Sequence, residues 1–245
     1  LATGTLSVKG PAVKPEIKGE FELPKAGMTI SFLQTDYNLV GEPKLLLDNE
    51  SIRFPNLELM DANHSVSYLN GEVRHKAFTD FYVDLQIDAR NLLALNTTAE
   101  REDAYYGKAY ATGNIKVQGP PSAIKVNALV ASEKGTEFYI PISGATEVKQ
   151  SGYVNFLSPE EEEDSLEILG ANFALDEGVS LDFDMNINSN ALVSIILNES
   201  TGNRLDGKGN GLINMKLEPN RDLELYGTYT VEEGIYRFNI EGLLA

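Results

Sequence analysis

The chain has 245 residues, a formal net charge of −17 and no cysteine. Charge of that sign repels phosphate, which excludes nucleic acid and docking on an anionic membrane surface. The missing cysteine excludes a disulfide framework, a thiolate nucleophile and a Cys-type zinc site. No run reaches the roughly 18 apolar residues of a membrane span, and neither end carries a basic-then-apolar signal. The 21 glycines and 10 prolines scatter evenly instead of gathering into a linker, so residues 1–245 read as one continuous architecture. The start at Leu1-Ala2-Thr3 and the apolar stretch from Ile240 to Ala245 read as a piece of a longer protein, with any signal or anchor missing.

In chain order, the first element is Gly4-x-Leu6-x-Val8-x-Gly10-Pro11, an alternating strand closed by a turn. Asn70-Gly71, between Ser65–Leu69 and Glu72–Lys76, predicts a tight hairpin turn, and Asn210-Gly211 a second one. Phe81, Val83, Leu85 and Ile87 alternate with Tyr82, Asp84, Gln86 and Asp88, an antiparallel strand with one wet face. Only 90–96 and 100–106 carry enough helical periodicity for short helical turns. The opening motif returns as Gly113-x-Ile115-x-Val117-x-Gly119-Pro120, and more loosely as Gly211-x-Ile213-x-Met215-x-Leu217. Repeats therefore begin near 4, 113 and 211, and self-similar β units at a long period point to a stacked or solenoid-like sheet. Small residues on alternate positions approach each copy (Ala2 and Gly4; Gly107, Ala109 and Ala111; Gly207 and Gly209), leaving a gap for a bend or a guest. The clearest alternation is Val179, Leu181, Phe183, Met185 and Ile187 against Ser180, Asp182, Asp184, Asn186 and Asn188.

No constellation for catalysis or metal binding emerges. His64 and His75 have no metal-ligand spacing and read as solvated surface residues. Asp206-Gly207-Lys208-Gly209-Asn210-Gly211 opens like a calcium loop but has Lys208 at the third position and Leu217 at the twelfth. The acidic run Glu160 to Asp164 reads as a solvated loop. The regular carboxylates fall on the wet face, where nothing raises a pKa for general-acid work. No nucleophile elbow or phosphate-cradling glycine loop is present, and four Asn-x-Ser/Thr triplets at Asn49, Asn63, Asn96 and Asn198 are near chance. No cofactor is expected, and binding rather than catalysis is.

The C-terminal stretch is the most family-specific part. Gly207-Lys-Gly-Asn-Gly211, Ile213 to Leu217, then Leu223-Glu-Leu225-Tyr-Gly227-Thr-Tyr-Thr-Val231-Glu-Glu-Gly234-Ile-Tyr236-Arg-Phe238 resembles the C-terminal domain of translocation and assembly module TamB of Bacteroidetes type. The resemblance implies an AsmA-like, bridge-like lipid transfer protein, anchored in the inner membrane by an N-terminal segment this chain lacks. Such a protein crosses the periplasm, meets an outer-membrane β-barrel of the TamA type, and carries phospholipid or assists barrel assembly. Membrane contact would run through parts absent from this chain.

The expectation is thus an all-β, elongated single-layer stack of antiparallel strands curled into a groove, a β-taco or solenoid-like form. Its lipid-facing side would comprise Leu6, Val8, Phe81, Val83, Leu85, Ile87, Ile115, Val117, Val179, Leu181, Phe183, Met185, Ile187, Ile213, Met215, Leu217, Leu223, Leu225, Tyr236 and Phe238. With about 16 to 20 strands stacked at ~4.8 Å, the fragment would be roughly 75 to 95 Å long. The alternatives are a self-packed β-solenoid scaffold or adhesin-type module without lipid and, more remotely, an enzyme acting on acidic polysaccharide.

Overall fold

The computed structural model describes residues 2–99, 105–141, 178–198, 201–219, 221 and 224–239. Among them the chain is all-β, with no helix. The strands are β1 (Thr3–Lys9), β2 (Glu16–Glu22), β3 (Gly27–Ile30), β4 (Thr35–Val40), β5 (Lys44–Leu47), β6 (Ser51–Asp61), β7 (Val66–Lys76) and β8 (Thr79–Thr97). They continue with β9 (Tyr106–Gly119), β10 (Ile124–Ser132), β11 (Glu137–Pro141), β12 (Val179–Ile187), β13 (Leu192–Asn198), β14 (Asn203–Leu217) and β15 (Glu224–Arg237). All belong to a single 15-stranded sheet.

Several of these strands are half-rows. β7 takes one edge of β6, while β5 and β4 share the other, at Ile52–Arg53 and at Glu58–Asp61. β2 and β3 line up against β5 and β4 in the same way. β8 takes one edge of β9, and β10 and β11 lie end to end along the other. β12 and β13 likewise share the edge of β14 that β15 leaves free. Among the described residues the sheet therefore has eleven rows: β1, β2 with β3, β4 with β5, β6, β7, β8, β9, β10 with β11, β12 with β13, β14 and β15. Those eleven rows at ~4.8 Å span about 50 Å.

The rows bend at hydrogen-bonded corners. Thr136 N donates to Glu133 O (3.2 Å), and in the next row Ala191 N donates to Asn188 O (3.0 Å). Asn188 N donates to Ser132 Oγ at 3.0 Å, and Leu192 N to Thr136 O at 2.9 Å, so the two corners are stacked. These two rows are parallel, Ile124 opposite Val179 and Glu137 opposite Leu192, which corrects the expectation of antiparallel pairing throughout. β9, β10, β12, β14, β13 and β11 consequently close a six-stranded ring of pairings.

Two local expectations fail for identifiable reasons. The segment 90–96 is strand, not helical turn: register shifts at Ala89/Leu92 and Leu93/Leu95, with Asn91 at φ 49°, bulge β8, and Leu92, Leu93 and Leu95 are each buried. Bulges broke the alternation and mimicked a helical spacing. Asn70-Gly71 lies inside β7, and Asn210-Gly211 inside β14. The β6–β7 turn is instead built by Asp61, whose Oδ1 accepts from Asn63 N (2.8 Å) and Ser65 N (3.0 Å). Of the second proposed helical turn, residues 100–104 lie outside the described residues, and Tyr106 opens β9.

Two buried clusters hold the sheet. Tyr37, Leu59, Ala89 and Leu92 form one, with Ile30, Leu39 and Ile115 packed on it. Leu95, Tyr105, Leu181, Met215 and Leu217 form the other, joined by Phe32, Leu33, Val126 and Phe138 among others. Val126 and Phe138 come from the two halves of one bent row, so the apolar sides of both halves contribute to one core.

Candidate binding face

Residues directly opposite each other in a ladder share a face of the sheet, so the registers show which side chains stand together. Leu6 faces Gly19 and Val8 faces Ile17. Phe21 faces Leu45, Gly19 faces Leu47, and Leu47 faces Ile52. Ile52 faces Val73, which faces Val83. Leu85 faces Val117, and Ile87 faces Ile115. Val117 then faces Val126, Val126 faces Leu181, and Ala128 faces Phe183. Leu181 faces Leu217, Phe183 faces Met215, and Met185 faces Ile213. Met215 faces Leu225, and past a bulge near Glu232 Leu205 faces Tyr236. One apolar face crosses all eleven rows. Val179 and Ile187 share it by alternation within β12, as does Phe238 beyond Tyr236.

Burial along this face is uneven. Leu6, Val8, Tyr236 and Phe238 are exposed, and the last two stack with ring centroids 5.9 Å apart. Val83, Leu85, Ile87, Ile115, Val117, Val179, Phe183, Met185, Ile187, Ile213 and Leu225 are half-buried. Leu181, Met215 and Leu217, expected along an open lane, are instead sealed in the second cluster at 3, 5 and 1 % exposure. The cause is the bend, which brings Leu95 and Tyr105 onto them. Phe81 sits apart at the exposed start of β8, edge-on to His75 at 6.0 Å. Leu223 lies outside the described residues, as does the Glu160 to Asp164 run.

Three of the glycine gaps, at Gly4, Gly19 and Gly211, are filled by aromatic rings of the protein itself. A Cβ on Gly19 would come within 2.6 Å of the Phe21 ring, and one on Gly4 within 2.8 Å. Tyr229 covers Gly211 in the same way and points its hydroxyl at Gly207 O, 3.4 Å away. Aromatic rings laid over cross-strand glycines compensate for their missing side chains.

The opposite face is polar and cross-linked between rows. Gln86 Nε2 donates to Asn114 Oδ1 at 3.0 Å, Gln118 Nε2 to Asp84 Oδ1 at 2.9 Å, and Asn214 Nδ2 to both Asp182 and Asp184 at 2.9 Å. Sequence reasoning missed Ile17, Phe21, Leu45, Leu47, Ile52, Val73 and Val126 on the apolar face. The alternation of Ile17 and Phe21 with Glu16, Lys18, Glu20 and Glu22 was a usable signal; Leu45-Leu46-Leu47 hides which leucines face inward.

Polar side chains do structural work here. Asp206, in the segment that opens like a calcium loop, is held by protein groups: its buried carboxylate accepts from the Ser194 hydroxyl and lies 3.2 Å from Arg204 Nε and 2.9 Å from Arg237 Nε. Burial pushes this carboxyl up, but the Ser194 hydroxyl and the two guanidiniums outweigh it and hold it below its ordinary 3.8. His75, expected at the surface, is buried, accepts from Phe78 N at 3.3 Å and stacks on the Phe78 ring at 4.4 Å. His64 is exposed in the β6–β7 turn. Among the described residues no group of His, Asp and Glu is placed to hold a metal ion, and no helix is long and apolar enough to cross a membrane.

Residues 53–242 match the TamB C-terminal domain family. The chain belongs to that family. No curated protein and no solved structure matches it. The TamB family takes part in outer-membrane assembly or translocation together with TamA, in the periplasm and cell envelope, as a structural or transport module. The match begins inside β6 and runs through β7 to β15.

Proposed function

We propose that this TamB-type chain is a segment of a periplasm-spanning lipid conduit, in which the apolar face is the inner wall of a groove that shields phospholipid acyl chains. The observation that carries the reading is the register-matched apolar face running through eleven rows with a polar, acidic face behind it. A sheet without covering helices must close its apolar side on itself or against a guest. An acyl chain is a suitable guest, because each CH₂ moved out of water contributes about 0.8 kcal/mol. A half-buried wall such as Phe183, Met185 and Ile213 exchanges that contact with a bilayer without trapping the lipid. Head groups would remain in water, since acidic walls offer phosphate nothing.

In this reading residues 1–245 are one continuous groove fragment with repeats beginning near 4, 113 and 211. Each copy of the repeat ends at a turn: Lys14 N donates to Pro11 O, Ala123 N to Pro120 O, and Arg221 N to Glu218 O. The full-length protein would be anchored in the inner membrane and hand lipid toward a TamA-type barrel, supporting outer-membrane assembly. The burial of Leu181, Met215 and Leu217 favours a second reading, a self-packed β scaffold without lipid.

Native mass spectrometry of the purified chain, or solvent extraction of its lipid, separates the two. Phospholipid retained above a matched soluble control is the conduit's expectation. A lipid-free chain with the same fold contradicts it and leaves the scaffold.

A further inference from the structure

The β7–β8 hairpin closes through Ala77 and Phe78, at φ 51° and 61°, and bulges directly afterwards, so that Asp80, at φ 49°, and Phe81 stand opposite His75 alone. Two consecutive left-handed residues make the tight turn that Asn-Gly ordinarily fills, and a bulky side chain there is strained. Strain of this kind gathers at ligand clamps. Here it lays the Phe78 ring on the His75 imidazole, centroids 4.4 Å apart, with the Phe81 ring edge-on at 6.0 Å. Both phenyl rings reach the surface, at 48 and 36 % exposure, whereas His75 is 5 % exposed.

His75 follows Val73 on the same face of β7, and Val73 faces Val83, so the imidazole ends the apolar face at this turn. Its backbone N donates to Glu50 O at 2.8 Å, and its Nδ1 accepts from Phe78 N at 3.3 Å. The ring proton therefore sits on Nε2. Nε2 is buried and has no hydrogen-bond partner among the described residues. A donor withheld from water and left without an acceptor is rare in folded proteins, and this one lies beside an apolar lane.

We propose that His75 Nε2–H is the polar end of a lipid subsite, donating to the ester carbonyl of a phospholipid whose acyl chain lies along Val73 and Val83. The subsite rests on the conduit reading and adds a fixed point to it. An ester carbonyl suits the place because it is neutral and joins directly to an acyl chain. A free carboxylate is disfavoured by the net charge of −17. Phe78 and Phe81 form the cover, and turning these surface rings aside opens the imidazole without parting the sheet. A single hydrogen bond positions the lipid and still lets it leave.

The chain has two histidines, so isotope-labelled histidine lets nuclear magnetic resonance follow the His75 Nε2 proton, with the exposed His64 as internal control. The probes are dihexanoylphosphatidylcholine below its micelle concentration and its diether counterpart, which has the same chains and head group without the carbonyls. The expected results are a downfield shift of the His75 Nε2 proton with the diester alone, and about tenfold tighter binding of the diester, the worth of one buried hydrogen bond. His75→Phe, which keeps a ring on Phe78, should erase that preference; should this variant misfold, the two lipids on the unaltered chain still decide. Equal affinities, or the same proton response to both lipids, overturn the subsite and leave a hydrated hairpin tip with the conduit reading intact. Binding of neither lipid overturns both.

Discussion

The two halves of the bent rows are built on different principles. The first halves, β10, β12, the start of β8 and the end of β14, alternate, with apolar residues on one side and, apart from the exposed Leu129 and Leu212, mainly polar side chains on the other, among them hydrogen-bonded amides and carboxylates. The second halves contain the two bulges of β8 and hold most of the buried polar groups: Thr35, Asp61, Thr97, Ser194 and Asp206 are all buried there, against Ser51 and His75 in the first. Asp61 shows why. Its Oδ2 accepts from Leu93 N at 2.7 Å while its Oδ1 closes the β6–β7 turn, and Tyr37 donates from its hydroxyl to Leu93 O at 2.8 Å. The bulges of β8 free backbone groups, and buried side chains satisfy them. A regular strand has no such need.

The largest consequence is an asymmetry in carboxylate deletions. Asp61→Ala strands three backbone amides, two in the turn and one in the core, and should lower the unfolding free energy by about 3 kcal/mol. Asp84→Ala, in a first half, removes one hydrogen bond from Gln118 near the surface and should cost about 0.5 kcal/mol or less. Urea midpoints of the two variants test this, and equal losses would erase the distinction between the halves.

A smaller effect sharpens it through pH. The folded-state pKa of Asp206 is depressed, so its contribution is present above the unfolded value near 3.8 and disappears as pH falls through the lower folded value. Acid unfolding should therefore begin below pH 3.8 with a component that Asp206→Asn removes. An unchanged acid transition in Asp206→Asn would show that the buried ion cluster does not couple to folding.

The same contrast explains what could be read from the chain. Val179 to Ile187 is a first half, and its alternation alone identified the strand and its apolar side. Leu92, Leu93 and Leu95 straddle two bulges, where period two fails and helical spacing appears in its place. Asn70-Gly71 carried the chemistry of a tight turn, but Gly71 at φ 137° serves a distorted point inside β7, with the Asn70 side-chain Oδ1 accepting from Asn56 N. Which half-rows share a row is set by long-range register, and the parallel match of β10 with β12 spans residues with no local signal for it. The apolar face was legible where the rows are regular. The closure of its middle over Leu181 and Leu217 depends on the corners, whose turns are ordinary sequence.

The central claim is that this apolar face meets lipid, and neighbouring positions on β12 test it most directly. Phe183 lies on the apolar face opposite Met215, and Asp184 lies on the polar face opposite Asn214. A photo-crosslinking residue at 183 should capture phospholipid in cells while the same residue at 184 captures none, with both variants folded. Equal capture at the two positions, or none at 183, would contradict the account and leave the face as the interior of a self-packed sheet.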